Sequence, residues 1–352
     1  MKRIAVVITA RPSYSRIKTV LEVLRSRPDV DLRIIAATSA LAIRYGAVVD
    51  RIRADGFTIA AELPSLVEGG GTRESAVSTG LLTTMLVPEL DRIRPDVVVT
   101  IADRHETLAT AIAAAYQHIP LCHVQGGEVS GSIDDKVRNA ITQLADIHCV
   151  ATSGARDRVL ALRPDAEVHV TGCPSIDLAA RALQEGPLPC SDYVVLQHPV
   201  TGEADQAAEQ IRQTVRALQG KDVTWYWPGE DAGSEAMSKV LRMEGLHPVR
   251  NRPPLEFLRM LLGAKALVGN SSVGIRECSY LGVPAVNIGT RQQWRERGPN
   301  VLDVAWHDAG QISNAVELAR AMVPPKSALY GDGHAGERIA AVLTARKQEA
   351  VA

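Results

Sequence analysis

Polar side chains that could carry out chemistry on a small substrate are concentrated between residues 95 and 139. They follow two consecutive apolar runs, and they are Asp103, Arg104, Glu106, Gln125, Glu128, Asp134 and Asp135. In open α/β sheets, ligands bind outside the carboxyl ends of parallel strands, so polar residues at successive strand ends indicate a site. Carboxylates placed there could remove or deliver a proton. Helix caps and a solvated loop would explain any one of these residues, but all of them together less readily.

Two predicted strand-to-helix turns suit phosphate groups. In TARPSYSRI, Arg11 stands at a helix start, where free N–H groups favour anions. In VGNSSVGIRE, the hydroxyls of Ser271 and Ser272 could bind phosphate oxygens, and Glu277, one turn later, could accept hydrogen bonds from a ribose. Neither turn has a dinucleotide fingerprint or a P-loop lysine, so NAD, FAD and ATP hydrolysis are disfavoured. An ordinary turn and serine N-caps are the structural alternatives.

His198 ends another apolar run, YVVLQH, at the mouth of the second predicted sheet. It has no partner at the spacing of metal ligands, and the adjacent pair Cys122 and His123 would point to opposite faces of a strand. We therefore expect neither a metal nor a cofactor. We expect His198 to act on the ligand, although a hydrogen-bonded histidine near the interdomain face is the structural alternative.

The elements that must position these residues are short runs rich in Val and Ile, which alternate with Ala- and Leu-rich helical patterns. These runs begin at Arg3, Asp31, Asp96, Ile119, Ile147 and Glu167 in the first half, and at Tyr193, Val223, Ala266, Pro284 and Asn300 in the second. Near-continuous apolar strands that alternate with helices indicate a parallel sheet covered on both faces. The sequence therefore predicts an α/β protein with two doubly wound domains that face each other across a cleft.

The 352 residues exceed the size at which a single hydrophobic core stops growing, which favours two domains. We predict a first domain over residues 1–175 with the acidic residues, and a second over residues 176–335 that binds the nucleotide. Helical periodicity over residues 336–352 predicts a last helix that packs back on the first domain. The segment EGGGTRES, residues 68–75, is either a mobile flap or a plain surface loop.

Composition excludes several classes of partner. The 39 basic residues balance 40 acidic ones, so no charge favours nucleic acid or an acidic membrane surface. No stretch approaches the roughly 20 apolar residues of a membrane span, and the apolar run at the start suits a first strand better than a secretion signal. The five cysteines lack paired spacing and are expected to be reduced thiols. We expect a soluble, cytoplasmic protein whose partners are small molecules and copies of itself.

Segments across nearly the whole chain resemble the UDP-N-acetylglucosamine 2-epimerase family, and specifically its hydrolysing branch. They are GGEVSGSIDDKVRNAIT, CVATSGARDRV, VTGCPSID, VVLQHPVT, DAGSEAM, GNSSVGIRE and NIGTRQ. The resemblance implies two Rossmann-like domains of the glycosyltransferase-B type, with a UDP-sugar held in the cleft between them. It also implies a homodimer. The implied reaction removes the C2 proton as the bond to UDP breaks, gives a 2-acetamidoglucal, and adds water to release N-acetylmannosamine.

The same resemblance assigns roles to individual residues. Those that it places at or next to the reacting sugar are Asp103, Gln125, Glu128, Asp134 and Asp135. Those that it places at UDP are Arg11, Asn270, Ser271, Ser272, Gly274, Glu277 and Arg291. It puts His198 near the phosphates, where it could also take part in catalysis.

Two departures from the family pattern bear on mechanism. Gln125 stands where the pattern has a glutamate, and an amide cannot exchange a proton, so either another carboxylate is the base or the chemistry differs. Ser13 replaces a usual aspartate, and the Arg11-Pro12 pair resembles the non-hydrolysing branch. The leading hypothesis is a hydrolysing epimerase. The alternatives are a non-hydrolysing epimerase that gives UDP-N-acetylmannosamine, a glycosyltransferase, and a nucleotide-sugar sensor without activity.

Overall fold

The computed structural model describes residues 1–69, 71–229, 231–250 and 252–345. In this part of the chain the first sheet contains β1 (Lys2–Ile8), β2 (Val30–Ala37), β3 (Ile59–Leu63), β4 (Val97–Ile101), β5 (Leu121–Val124), β6 (Ile147–Val150) and β7 (Glu167–Val170). All neighbours pair in parallel, in the order β3-β2-β1-β4-β5-β6-β7. The direction of winding therefore reverses between β1 and β4, and such switch points are where open sheets bind ligands.

A second parallel sheet follows in the other half. It contains β8 (Tyr193–Leu196), β9 (Val223–Trp225), β10 (Ala266–Gly269), β11 (Ala285–Ile288) and β12 (Val301–Val304). Their order is β12-β11-β10-β8-β9, which is the flavodoxin-like arrangement. Its switch point lies between β8 and β10.

Helices cover both faces of each sheet. In the described ranges they are α1 (Arg11–Ser15), α2 (Lys18–Ser26), α3 (Val48–Ala54), α4 (Thr72–Ile93), α5 (His105–Tyr116), α6 (Asp134–Leu144), α7 (Ser153–Leu162), α8 (Pro174–Glu185), α9 (Ala207–Ala217), α10 (Ser234–Met243), α11 (Pro254–Gly263), α12 (Ser272–Ile275), α13 (Glu277–Leu281), α14 (Ala309–Ala321) and α15 (Ala335–Ala345). Short 3₁₀ turns occupy Thr38–Ala40, Ile43–Tyr45 and Thr201–Glu203. None of these helices combines the length and the apolar character of a membrane span.

The strands read as continuous apolar runs because both of their faces are buried. In β1, Ile4 and Val6 pack in the core that faces α2, whereas Ala5 and Val7 pack in the core that faces α4 and α5. Each residue of such a strand therefore loses apolar surface to a helix layer, and alternation with polar residues would bury unpaired polar groups. The eleven strands predicted from these runs are confirmed, as is the α/β class.

One strand was not predicted. β3, with the sequence IAAEL, lies at the edge of the first sheet, and most of its residues are only half-buried. An edge strand needs no continuous apolar run, so its sequence resembles a helical segment as much as a strand.

α15 packs on the first half of the protein. Ile339, Ala340 and Leu343 belong to the same buried core as Ile4 and Tyr14. Residues 346–352 of the predicted tail lie outside the described residues. The domain boundary near residue 175 falls at the start of α8 and stays a prediction.

Candidate active site

One cavity of about 300 Å³ lies where the two switch points face each other. The first half lines it with residues that follow β1, β4 and β5, among them Arg16, Asp103, Arg104, His105 and Asp134. The second half lines it with residues that include Asp231, Ser272, Arg291, Gln292 and Arg295. This volume is at the lower end of the range for pockets that bind small molecules. Thr72 and Ser75, from the predicted flap, also line it at the start of α4, whereas Gly70 lies outside the described residues. That the segment moves stays a prediction.

The two strand ends that carry the acidic residues both leave the sheet through a left-handed backbone. Ala102 follows β4 with φ of 64°, and Gln125 follows β5 with φ of 67°. Residues other than glycine pay an energetic cost in this conformation, and such positions cluster at functional sites. The turn after Ala102 is held by His123, whose Nε2 lies 2.8 Å from the Ala102 carbonyl oxygen.

Asp103 is a permanently charged group at the base of the cavity. It forms an ion pair with Nη2 of Arg138, which is fully buried, and its Oδ2 lies 3.7 Å from Nη2 of Arg295. Burial alone would raise the pKa of Asp103, but the surrounding guanidiniums outweigh burial and hold the pKa well below its usual range. Asp103 is therefore suited to electrostatic stabilisation rather than to holding a proton.

Asp134 differs from Asp103 in its protonation. It is half-buried, and its Oδ2 accepts a hydrogen bond of 3.0 Å from the Ser132 hydroxyl. Burial, and then the negative charge of Asp103, raises the pKa of Asp134 to about 6. A group with a pKa near neutrality is an efficient proton acceptor and donor, so Asp134 is the carboxylate of this site that is best suited to acid–base work.

Asp135 and Glu128, by contrast, are held in ion pairs. Asp135 pairs with Arg138 and accepts hydrogen bonds from the backbone N–H groups of Ser130 and Gly131, at 2.9 and 2.7 Å, so it organises the loop before α6. Glu128 is buried and forms an ion pair with Nη1 of Arg295. Its other oxygen lies 3.5 Å from Nη1 of a second buried arginine, Arg276.

The side chain of Gln125 is buried next to Arg276. Its amide nitrogen donates to Sγ of Cys173 at 2.6 Å, and its amide oxygen lies 3.4 Å from Nη1 of Arg276. Both ends of the side chain are therefore occupied by protein partners.

Two arginine side chains donate hydrogen bonds to the hydroxyl of Ser272. Its Oγ accepts from Nη2 of Arg276 at 2.7 Å and from Nη2 of Arg16 at 3.1 Å. Burial, followed by the charge of Arg276, lowers the pKa of Arg16 to about 9, which reflects two like charges with too little counter-charge between them. Since both acceptor positions of the hydroxyl are used, its O–H remains to donate. The arrangement suits an oxyanion such as a phosphate.

His198 and Asn270 join the ends of β8 and β10. The His198 N–H donates to Asn270 Oδ1, and Asn270 Nδ2 donates to the His198 carbonyl, both at 2.8 Å. Nδ1 of His198 accepts from the Gly229 N–H at 2.8 Å, and burial, helped by Arg291, lowers the pKa of His198 to about 3. His198 is therefore neutral. Ser271 accepts from the Val273 N–H at 3.4 Å as the N-cap of α12.

Three further residues were assigned to UDP from the sequence, namely Gly274, Arg11 and Glu277. Gly274 packs against the sheet, where a Cβ would meet Ala285 at 3.1 Å. Arg11 donates to the Arg250 carbonyl at 2.9 Å and thus joins the two halves. Glu277 is buried, 4.0 Å from Nε of Arg276. The assigned roles stay predictions.

A charge bridge crosses the mouth of the cavity. Arg104 of the first half and Arg291 of the second both contact the carboxylate of Asp231, each at 3.4 Å. Arg291 also reaches the Asn270 carbonyl, at 3.4 Å. Arg291 is thus near the predicted phosphate site, as expected from the sequence.

Sequence analysis did not single out several residues that the structure brings into the site. They are Arg16, His105, Arg138, Asp231, Arg276 and Arg295. Arginine side chains usually remain in contact with solvent, so the number of arginines alone gave no signal. Asp231 and Arg276 stand inside family-like segments, DAGSEAM and GNSSVGIRE, and this was the signal that could have identified them. Among the described residues, no group of three or more His, Cys, Asp or Glu side chains could hold a metal ion.

Comparison with known proteins relates the chain to sugar-nucleotide enzymes. A family model described as UDP-N-acetylglucosamine 2-epimerase matches residues 22–344. The UDP-N,N'-diacetylbacillosamine 2-epimerase (hydrolyzing) of Legionella pneumophila is 31% identical, over 96% of this chain and 94% of that protein. The UDP-N-acetylglucosamine 2-epimerase of Neisseria meningitidis is 29% identical, over 91% and 88%. The structure of Methanocaldococcus jannaschii UDP-GlcNAc 2-epimerase in complex with UDP-GlcNAc and UDP superimposes with a TM-score of 0.82 at 18% identity, over 98% of this chain and 100% of that one. This last likeness shows the shared fold.

Proposed function

Since the chain belongs to the UDP-N-acetylglucosamine 2-epimerase family, we propose that it inverts C2 of a UDP-linked 2-acetamido sugar and releases UDP by hydrolysis. The observation that carries this proposal is one cavity with an acid–base carboxylate on one side and buried guanidiniums on the other. Asp134 is the carboxylate and Arg16 is a cation that lines the cavity, whereas Arg276 is buried and reaches the cavity only through its hydrogen bond to Ser272.

The chemistry requires both sides of the cavity. A base takes the C2 proton, the C2–H electrons form the C1=C2 double bond, and the C1–O bond breaks with its electron pair leaving on the diphosphate. We expect Arg16, Arg276 and the Ser272 hydroxyl, which contact each other, to stabilise the negative charge that develops on the leaving group. Asp103, ionised beside the sugar, would stabilise the positive charge that develops at C1. In the second stage C2 regains a proton on its other face while water adds to C1.

The hydrolytic outcome is supported by the relative from Legionella, whose name states hydrolysis and whose length this chain matches. That relative acts on a diacetamido sugar, and the Neisseria relative on UDP-N-acetylglucosamine. The substrate class is therefore proposed as UDP-linked 2-acetamido sugars, with two candidate members to compare.

The experiment is incubation of the protein with each candidate UDP-sugar in D2O. We expect UDP and a free 2-epimer that carries deuterium at C2. A deuterated UDP-sugar epimer without free UDP would instead identify a non-hydrolysing epimerase. Sugar transfer that requires an added alcohol acceptor would favour a glycosyltransferase. Neither deuterium uptake nor UDP release from either sugar would contradict the proposal.

We also propose that the protein is a homodimer in the cytoplasm. Two-fold dimers are the commonest assemblies among soluble oligomeric proteins, and the balanced charge of 39 basic against 40 acidic residues does not oppose association. Sedimentation equilibrium measures the mass directly, and a monomer mass of 37.8 kDa at micromolar concentration would contradict the proposal.

A further inference from the structure

We propose that His105, oriented by Glu106, is a second proton-transfer group at C2 of the sugar and works opposite Asp134. This inference rests on the proposed function. It supplies the group that the chemistry needs and that the amide of Gln125 cannot provide. Inversion of a carbon centre requires a proton to leave from one face and to arrive on the other, so two groups are needed.

The position of His105 meets the geometric requirement. His105 is the first residue of α5 and lines the same cavity as Asp103 and Asp134. Its side chain is 30% exposed, which is the exposure of a group that faces an open pocket. Among the residues that the structure describes, none forms a hydrogen bond with Nε2, so this nitrogen is available to a substrate.

The carboxylate of Glu106 lies next to the His105 imidazole and orients it. Its side chain is almost fully buried, and its Oε1 accepts from Nε of Arg104 at 3.0 Å. Its Oε2 has no aligned hydrogen-bond donor in the described ranges, and Nδ1 of His105 lies 3.1 Å from it. A buried carboxylate oxygen without a donor is costly, and a small rotation of the ring makes Nδ1–H that donor. The tautomer that results leaves the lone pair on Nε2.

Burial keeps His105 neutral. Burial lowers its pKa first, Arg104 lowers it further, and the carboxylates of Glu106 and Asp231 act in the opposite direction. The net pKa lies below the ordinary value, so at neutral pH the imidazole can accept a proton.

The other titratable groups of the site are already paired. Asp103 and Asp135 pair with Arg138, and Glu128 pairs with Arg295 and Arg276. Among the described residues that line the cavity, Asp231 lies between two arginines as well. Among the described residues that line the cavity, Asp134, whose pKa is raised, and His105, whose imidazole is neutral, are the titratable groups that form no ion pair with an arginine.

The proton balance is complete with these two groups. One of them takes the C2 proton as the C1–O bond breaks and UDP leaves with the electron pair. The other gives a proton to C2 of the glycal while the oxygen of water bonds to C1, and the remaining proton of that water passes to solvent. The first group then releases its proton to solvent and the second regains one, so the sum is UDP-sugar plus water giving the 2-epimer and UDP.

The principal test is His105→Ala. We expect kcat for formation of the free 2-epimer to fall by about 10²–10⁴-fold, the range for loss of a general acid or base, with UDP affinity within about twofold of wild type. Added imidazole should restore part of the rate. His118→Asn, at the exposed end of α5, is the control, since its left-handed φ of 55° suits asparagine, and it should keep the wild-type rate.

Two readouts separate the outcomes. Accumulation of the glycal in His105→Ala would make His105 the proton donor, and loss of deuterium exchange at C2 would make it the base, so either result supports the inference. If wild type releases UDP and exchanges deuterium while His105→Ala forms the 2-epimer at a rate within threefold of wild type, the inference is wrong and the proposed function stands. If wild type does neither, the proposed function fails and the inference falls with it.

Glu106→Gln tests the positioning role of Glu106. Removal of its negative charge lowers the pKa of His105, so the limb of the kcat/KM profile that is absent from His105→Ala, and is therefore due to His105, should move to lower pH by about one unit. A residue that only supports the fold would lower the rate equally at every pH. An unchanged limb position in a stably folded Glu106→Gln variant would contradict the role of Glu106.

Discussion

Arg276 holds Gln125 and Glu128 on the same guanidinium. Its Nη1 lies 3.4 Å from the Gln125 amide oxygen and 3.5 Å from the Glu128 carboxylate, and all three side chains are buried. One cation is therefore shared between a charged and a neutral acceptor. This relationship determines what a glutamate at position 125 would do in this protein.

We expect Gln125→Glu to give no recovery of a catalytic base. The new carboxylate would pair with Arg276, which would keep it ionised and would weaken the Arg276 contact with Glu128. We expect kcat to stay within about tenfold of wild type, which is a change of about 1.4 kcal/mol in the barrier. Steady-state UDP release measures it. A gain of two orders of magnitude would show instead that position 125 carries the missing base.

Asp103→Asn should remove turnover and also lower stability. The substitution leaves the fully buried Arg138 with one carboxylate, Asp135, in place of two. Breaking a buried ion pair costs about 3–5 kcal/mol, and the positive charge at C1 loses its counter-charge. UDP affinity should change little, and calorimetry measures it beside denaturant unfolding. Asp50→Asn, an exposed carboxylate, is the control. Loss of UDP affinity equal to the loss of turnover would move Asp103 to the nucleotide side.

Asp134→Asn should stabilise the protein at high pH only. The folded-state pKa of Asp134 is raised to about 6 from 3.8, so its contribution to stability is present below pH 3.8 and is lost as pH rises through 6. We expect the variant to gain about 1–2 kcal/mol in unfolding free energy at pH 7.5 after allowance for solvent screening, and little at pH 4. Urea titrations at both pH values measure it. Equal changes at the two values would show that Asp134 titrates normally.

Activity should follow the same group. If Asp134 must be ionised to take the C2 proton, kcat/KM falls as pH drops through about 6. The Asp134→Asn variant should lose turnover at every pH.

Ser272→Ala should weaken UDP binding more than it changes stability. The hydroxyl accepts from Arg16 and Arg276 and has an O–H left for a phosphate oxygen. Loss of a hydrogen bond to a charged group is worth about 1.5 kcal/mol, or about tenfold in Kd. Titration calorimetry with UDP measures it, and Ser26→Ala on the exposed end of α2 is the control. Unchanged affinity for UDP would place the diphosphate elsewhere.

Asp177→Ala should loosen the last helix without affecting the ligand. The Asp177 carboxylate accepts from the N–H groups of Ala335 and Gly336, at 2.9 and 2.7 Å, and from the Thr19 hydroxyl at 2.8 Å. Removal of a helix cap and a buried hydrogen bond should cost about 2 kcal/mol. Thermal unfolding measures it, with the exposed Asp157→Ala as the control. A variant as stable as wild type would show that α15 docks through its apolar face alone.

Most strands of this protein could be predicted because burial on both faces makes each of them a short, continuous apolar run. β4 and β10 are buried at every residue, and each is followed by polar side chains that the structure places at the cavity. β3 was missed because an edge strand is not required to be apolar. Asp103, Asp134 and Ser272 were identified from position alone, since the carboxyl end of a parallel strand is where a ligand can reach the backbone, whereas Arg291 was assigned from the family resemblance.

The sequence by itself determined the α/β architecture, the two halves and the strand ends that line the cavity. Each of these features depends on the local spacing of apolar and polar residues. Only the tertiary structure decided which charges neutralise each other. Glu128 contacts Arg276, which is 148 positions away in the sequence, and Gln125 contacts the same arginine from 151 positions away. Coulomb and desolvation energies depend on distance in space and on burial, and neither can be read from spacing along the chain. That is why we propose His105 and Asp134, rather than the other titratable groups of the cavity, as the proton-transfer groups.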